Sequence, residues 1–125
     1  MDLQLSGKRA LVLGASKGLG RAIAEGLAGE GATVVAAARN TAAITAWAAG
    51  LGEAGSRVSA ISLDLADFAS VERLIAGIVA GGGVDILVNN SGGPPPGSAM
   101  DAKRSDWLAL FETMAASLFH ITQGL

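Results

Sequence analysis

The chain has 125 residues, half of them hydrophobic and 16% charged, enough for one domain with a core that needs no metal or disulfide staple. It contains no cysteine, which excludes a disulfide scaffold, a thiolate metal site and a cysteine nucleophile, and no tyrosine, which excludes every mechanism with a phenol as acid or base. Nine basic residues against eleven acidic ones give a net charge of −2, so the field that sequence-independent nucleic-acid binding needs is missing.

In chain order, residues 8–13, 33–37, 57–62 and 84–88 are short, nearly continuous apolar runs. Such runs suit strands covered on both faces of a parallel sheet. Between them lie helical stretches. Residues 19–29 place Leu19, Ile23 and Leu27 at helical spacing, with Gly29 and Gly31 as the stop; residues 41–50 are alanine-rich around Ile44 and Trp47. Asp67 is a good N-cap for residues 68–80, whose Val71, Leu74, Ile75, Ile78 and Val79 form one apolar face that ends at Gly81-Gly82-Gly83. After the fourth run comes a turn-rich loop, 92–97, with Pro94 to Pro96 as a short rigid rim, and from about Ser105 a last helix runs to Leu125. The expected fold class is α/β, a Rossmann-type doubly wound parallel sheet with strand order 3-2-1-4. Because the sequence stops inside an element, residues 1–125 are read as one domain of this type that is incomplete at its C-terminal end. The last helix carries more apolar surface than one sheet face covers. No apolar run approaches the ~20 residues of a spanning helix, and residues 1–9 lack the apolar segment of a secretory signal, so a cytoplasmic protein without a membrane partner is expected.

Gly14-Ala15-Ser16-Lys17-Gly18-Leu19-Gly20 follows the first strand and opens the first helix. Glycines there allow the sharp turn, the close approach of helix to sheet and the approach of a phosphate to backbone N–H groups; a purely structural turn is the alternative. At the end of the second strand, nineteen positions past Gly20, the chain reads Arg39-Asn40 where NAD-preferring sites carry an Asp or Glu. A guanidinium fork suits a 2′-phosphate, and Lys17 adds a second cation, unless both are solvated surface charges. Asp64-Leu65 follows the third strand and Asn89-Asn90-Ser91-Gly92 the fourth, all at the carboxyl ends where such sheets bind ligands. Asp64 alone could equally be an Asx-turn residue, and the asparagines turn formers.

Together these motifs resemble the short-chain dehydrogenase/reductase family in its single-domain form, along the whole chain and including the Asp106-Trp107 opening of the last helix; within the family the likeness is to 3-oxoacyl-carrier-protein reductases. The resemblance implies the cofactor NADP (NADPH), with Gly14, Ser16, Lys17, Gly18, Leu19 and Gly20 at the phosphates, Arg39 and Asn40 at the 2′-phosphate, Asp64 and Leu65 around adenine, and Asn90, Ser91 and Gly92 near the ribose. It implies that Asn89 helps tie the central strands, and that a homo-oligomer, dimer or tetramer, forms through the last helix. Two departures stand out. Where the family places an asparagine that kinks the last helix and holds a relay water, this chain has Met114, a poor acceptor that cannot donate. The family's Ser and Tyr-x-x-x-Lys have no counterpart here, so no catalytic residue is assigned.

His120, the only histidine, has no acid or serine at i±4 and reads as a surface or interface residue; Trp47 and Trp107 read as packing residues, and Ser16 and Ser91 as hydrogen-bonding residues without a base. The function expected is hydride transfer between NADPH and a ketone or 3-oxoacyl group, a small-molecule carbonyl substrate, with this chain supplying the cofactor half and inactive alone. The alternatives are a non-catalytic dinucleotide-binding module or redox sensor, and a structural assembly unit built on the last helix.

Overall fold

A computed structural model describes residues 2–92, 97–98 and 100–125; the Pro94 to Pro96 rim lies outside the described residues. Four strands, β1 (Arg9–Leu13), β2 (Thr33–Ala38), β3 (Val58–Ser62) and β4 (Ile86–Val88), form one all-parallel sheet in the order β3-β2-β1-β4, as the alternation of apolar runs and helices predicts. Leu11 lies opposite Val35 on one side and Leu87 on the other.

The period-two alternation of the central strands sends successive side chains to opposite faces. Val12 of β1 and Val34, Ala36 and Ala38 of β2 face the helices α1 (Gly18–Gly29) and α2 (Thr41–Ala49), meeting Ala24, Ala28, Ile44 and Trp47. Leu11 and Leu13, with Val35 and Ala37, face the other way toward α3 (Phe68–Ala80) and meet Val71, Leu74, Ile78 and Ile121. Alanine dominates the first face. Its small side chains bring helices close to the sheet, which matters at the site described below.

The helix ends follow from side chains and glycines that the sequence displays. Asp67 caps α3 by accepting from the Ala69 N–H at 3.0 Å, and Asn40 caps α2 by accepting from the Ala43 N–H at 3.1 Å. Both α1 and α3 close with the same pair of backbone bonds. Ala32 N–H donates to Leu27 and Gly31 N–H to Ala28; Gly83 N–H donates to Ile78 and Gly82 N–H to Val79. Each helix is thereby turned directly into the next strand.

Two strands differ from the sequence reading. In β3, Ser59, Ala60 and Ser62 are exposed, because β3 is the outer strand rather than one covered on both faces. In β4 only Ile86–Val88 pair, because Asp85 does different work: its carboxylate accepts from the Arg9 N–H at 2.9 Å while its own N–H donates to the Arg9 carbonyl. A 3-10 turn, Gly52–Arg57, joins α2 to β3.

The last helix is not one uniform α-helix. It runs as α4 (Arg104–Phe111), a π-helical turn (Glu112–Ala116) and α5 (Ser117–Gly124). Asp106 starts it by accepting from the Lys103 N–H at 3.0 Å. The two ends of this helix behave differently. α5 is docked: Ile121 is fully buried, the Ser117 hydroxyl donates to the Leu65 carbonyl at 2.7 Å, and His120 bonds Glu72 of α3. α4 buries none of its residues, so Trp107 is half exposed and does not pack into the core as the sequence suggested. Among the described residues no helix is long and apolar enough to cross a membrane.

Because Ile121 is the buried apolar anchor of α5, Ile121→Ala is expected to lower unfolding free energy by about 2–5 kcal/mol in urea denaturation. The exposed Phe119→Ala change should cost under about 0.5 kcal/mol. Equal losses for the two would contradict the docking described.

Candidate functional site

The carboxyl ends of β1, β2 and β4 meet in one small region, and its geometry is set by a contact between two stretches of backbone. The chain leaves β1 at Gly14 with φ +64°, turns, and enters α1 with Gly20 lying over the Gly14 carbonyl. A Cβ built on Gly20 would stand 2.1 Å from that oxygen, so no side chain is compatible with this position unless helix and loop move apart. The same carbonyl accepts from Asn90 Nδ2 at 3.3 Å, which ties the end of β4 to the loop after β1. The sequence reading gave the strand tie to Asn89. The structure gives it to Asn90, while Asn89 reaches Thr122 on α5 at 3.4 Å.

Lys17 stands at the N-cap of α1 in extended conformation and makes no side-chain capping bond; the first turn carries no acidic residue. The first N–H groups of α1 thus keep their donors and the positive end of the helix dipole is uncompensated. Gly18, φ +63°, would place a Cβ in open space. Lys17 and Leu19 are exposed and Ser16 is half-buried. A backbone that can be approached closely, free donors and a nearby cation fit a phosphate group.

Arg39 follows β2 and is exposed, and among the described residues no carboxylate lies within ion-pair distance of Arg39 or Lys17. Asn40 spends its Oδ1 on capping α2, which leaves its amide donors for another partner. Asp64 forms an Asx turn: one carboxylate oxygen accepts from the Ala66 N–H at 3.0 Å, and the Ser70 hydroxyl accepts from the Asp64 N–H at 2.9 Å. The Asx-turn role of Asp64 is therefore present in the structure, with its second oxygen left over. Leu65 is half-buried against the α3 and α5 cluster, Ser91 is half-buried and Gly92 exposed. Gly14, Gly20 and Asn90 are brought together directly, with Gly18 at the start of α1; Arg39 and Asn40 lie at the end of the neighbouring strand, and Asp64 and Leu65 one strand further out.

Three contacts were missed from the sequence. The Trp47 indole N–H donates to the Ala15 carbonyl inside the loop at 3.0 Å. His120 finds its acid on a different helix, at Glu72, and its ring lies 5.2 Å from that of Phe68. Met114 sits inside the π-helical turn, so the helix is distorted at the position where the family carries asparagine even though the amide is replaced by a thioether. Of these only Trp47 left a signal in the sequence, since an indole in an alanine-rich, buried helix needs an acceptor for its N–H.

Fold and edge together define a Rossmann-type α/β module with a phosphate-competent loop at the carboxyl end of its first strand. Residues 8–125 match the family model described as short chain dehydrogenase. The chain belongs to that family. It is 39% identical over 124 residues to the 3-oxoacyl-acyl-carrier-protein reductase FabG of Escherichia coli K12, covering 98% of this chain and 50% of that protein. Among solved structures it matches the L-sorbose reductase of Gluconobacter frateurii, crystallised with NADPH and L-sorbose, with TM-score 0.89 and 35% identity over all of this chain and 48% of that one. It also matches a metagenomic short-chain oxidoreductase in complex with NADP, with TM-score 0.86 and 32% identity over 97% of this chain and 56% of that one. The chain spans about half the length of the curated relatives it matches.

The close approach at Gly20 makes a paired prediction. Gly20→Ala is expected to destabilise the fold by about 1–3 kcal/mol or more through overpacking. Gly26→Ala, on the same helix with nothing within 4 Å of the added Cβ, should stabilise by about 0.5–1 kcal/mol. Thermal unfolding of both variants checks this, and a neutral Gly20→Ala would contradict it.

Proposed function

We propose that this chain is the cofactor-binding half of an NADP-dependent short-chain reductase that transfers hydride between NADPH and a ketone or 3-oxoacyl substrate. The observation that carries the reading is the uncapped α1 N-terminus flanked by two cations, Lys17 and Arg39, that no described carboxylate neutralises. The loop from Gly14 to Gly20 would hold the diphosphate through backbone N–H groups. Arg39, with the spare amide of Asn40, would hold the 2′-phosphate, since a guanidinium pairs with phosphate oxygens and would repel nothing there. Asp64 and Leu65 are assigned to the adenine edge, and Asn90, Ser91 and Gly92 to the ribose next to the β4 end. The bound nicotinamide supplies the hydride; the chain's own residues bind and orient it, and in doing so reduce the entropic barrier to transfer.

Support for NADP rather than NAD comes from the basic residue at the end of β2 and from the NADPH and NADP present in the two solved relatives. Support for a carbonyl substrate comes from the reductases among the relatives. No tyrosine is present in the chain, so it contains no phenol to protonate a carbonyl, and we assign it no catalytic residue. We read the exposed Trp107, Leu108 and Phe111 of α4 as part of a homo-oligomer contact.

The test is a fluorescence titration of the chain with NADPH and with NADH. NADPH is expected to bind more tightly, and Arg39→Ala to weaken NADPH about 10- to 100-fold, the equivalent of losing charge-assisted bonds of about 1.5–3 kcal/mol, while leaving NADH unchanged. Ketone reduction by the chain alone should stay at the buffer control. Absence of any NADPH signal, or an Arg39→Ala variant identical to the parent, overturns the reading.

A further inference from the structure

We propose that Trp47 is a positioning residue for the phosphate-binding loop: its indole N–H fixes the Ala15 peptide, and through it aims the Ser16 N–H outward and couples the loop to the helix that begins after Arg39. The inference rests on the dinucleotide reading above for its ligand, although the loop geometry can be tested without one.

The Ala15 peptide units are held on both sides. The Ala15 N–H donates to the Ala37 carbonyl at 3.1 Å, and the Ala15 carbonyl accepts from Trp47 Nε1 at 3.0 Å. Ala15 is fully buried and Trp47 is 5% exposed, so this bond is made out of water, where a carbonyl without a donor is costly. The preceding carbonyl, Gly14, is held by Asn90. Two successive loop carbonyls are therefore gripped by side chains from two different elements, α2 and the end of β4.

In a planar trans peptide the C=O and the following N–H point in opposite directions. Turning the Ala15 carbonyl toward Trp47 therefore turns the Ser16 N–H away from the α2 core. Among the described residues that N–H has no protein acceptor. It is the first of the loop donors ahead of α1, and Trp47 sets its direction.

The same indole also joins α1 to α2. The Arg21 guanidinium lies 6.0 Å from the ring centroid and is itself bonded to Glu25 at 2.7 Å. An aliphatic residue could fill the volume in this alanine-lined cluster; only the indole adds a donor that reaches the loop. Because α2 starts at the Asn40 cap, the bond also fixes the loop relative to Arg39.

The experiment compares the parent chain with Trp47→Phe and with a Trp107→Phe chain in which Trp47 is replaced by benzothienylalanine, an isostere with sulfur in place of the N–H. Trp107 is half exposed, so its replacement leaves Trp47 as the single labelled position. Two readouts are taken: hydrogen exchange of the Ala15 amide with the chemical shift of the Ser16 amide, both without ligand, and affinity for NADPH and NADH. Both Trp47 variants are expected to show about tenfold faster Ala15 exchange, a displaced Ser16 amide resonance and about tenfold weaker binding of NADPH and NADH alike, unlike Arg39→Ala, which separates the two cofactors. Should Trp47→Phe fail to fold, the isostere retains the ring volume and decides the matter. A lower melting temperature with an unchanged Ser16 amide shift and unchanged binding would show packing only and overturn the proposal. A parent chain that binds neither cofactor would overturn the dinucleotide reading, and the Ser16 amide shift would still decide the role of Trp47.

Discussion

The site depends on one steric fact: helix α1 can lie on the end of β1 only because Gly20 presents no side chain to the Gly14 carbonyl. A Cβ there would fall 2.1 Å from the oxygen, well inside any real contact. Everything nearby builds on that approach. It brings the N-terminus of α1 over the carboxyl edge of the sheet, lets Asn90 reach across from β4 to the same carbonyl, and leaves the helix's first N–H groups facing outward without a cap. An alanine-rich face on α1 and α2 keeps the approach close along the rest of the helices, where Ala24, Ala28 and Ala48 are buried against β1 and β2. Small residues here therefore set how near the start of α1 lies to the end of β1.

Much of the fold was legible in the sequence because buried parallel strands admit few residue types. The runs ending at Leu13 and Ala38 are apolar for that reason, and the helix limits at Asp67 and Gly31 are written in capping chemistry. What failed to show is equally physical. Val84 and Asp85 extend the β4 run in composition, yet Asp85 is used to satisfy Arg9 and not to continue the ladder. The π-helical turn leaves no mark because Phe111, Leu118 and their neighbours keep an ordinary helical pattern through it. In the site, the glycine spacing and the cation at Arg39 were visible, whereas the bonds from Trp47 and Asn90 span 32 and 76 positions and belong to the tertiary fold.

The two flanks of the sheet differ in the same way. On the loop side the Gly14 and Ala15 carbonyls are each bonded from a distant element. On the far side, β4 is a half-buried edge strand and α4 buries no residue, although α5 beyond the π-turn is anchored by Ile121, Ser117 and His120. The π-helical turn around Met114 forms here without an asparagine amide. Packing of α5 onto α3 fixes one half, the sheet does not hold the other, and the π-turn falls between them.

The central claim, that the edge formed by the β1, β2 and β4 ends is the ligand site, is tested most directly by two-dimensional amide NMR of the chain during addition of NADP. Shifts are expected at residues 14–20, at Arg39 and Asn40, and at Asn90 to Gly92, with the exposed face of α3 unchanged. Shifts confined to α3 and α5, or none at saturating NADP, would contradict it.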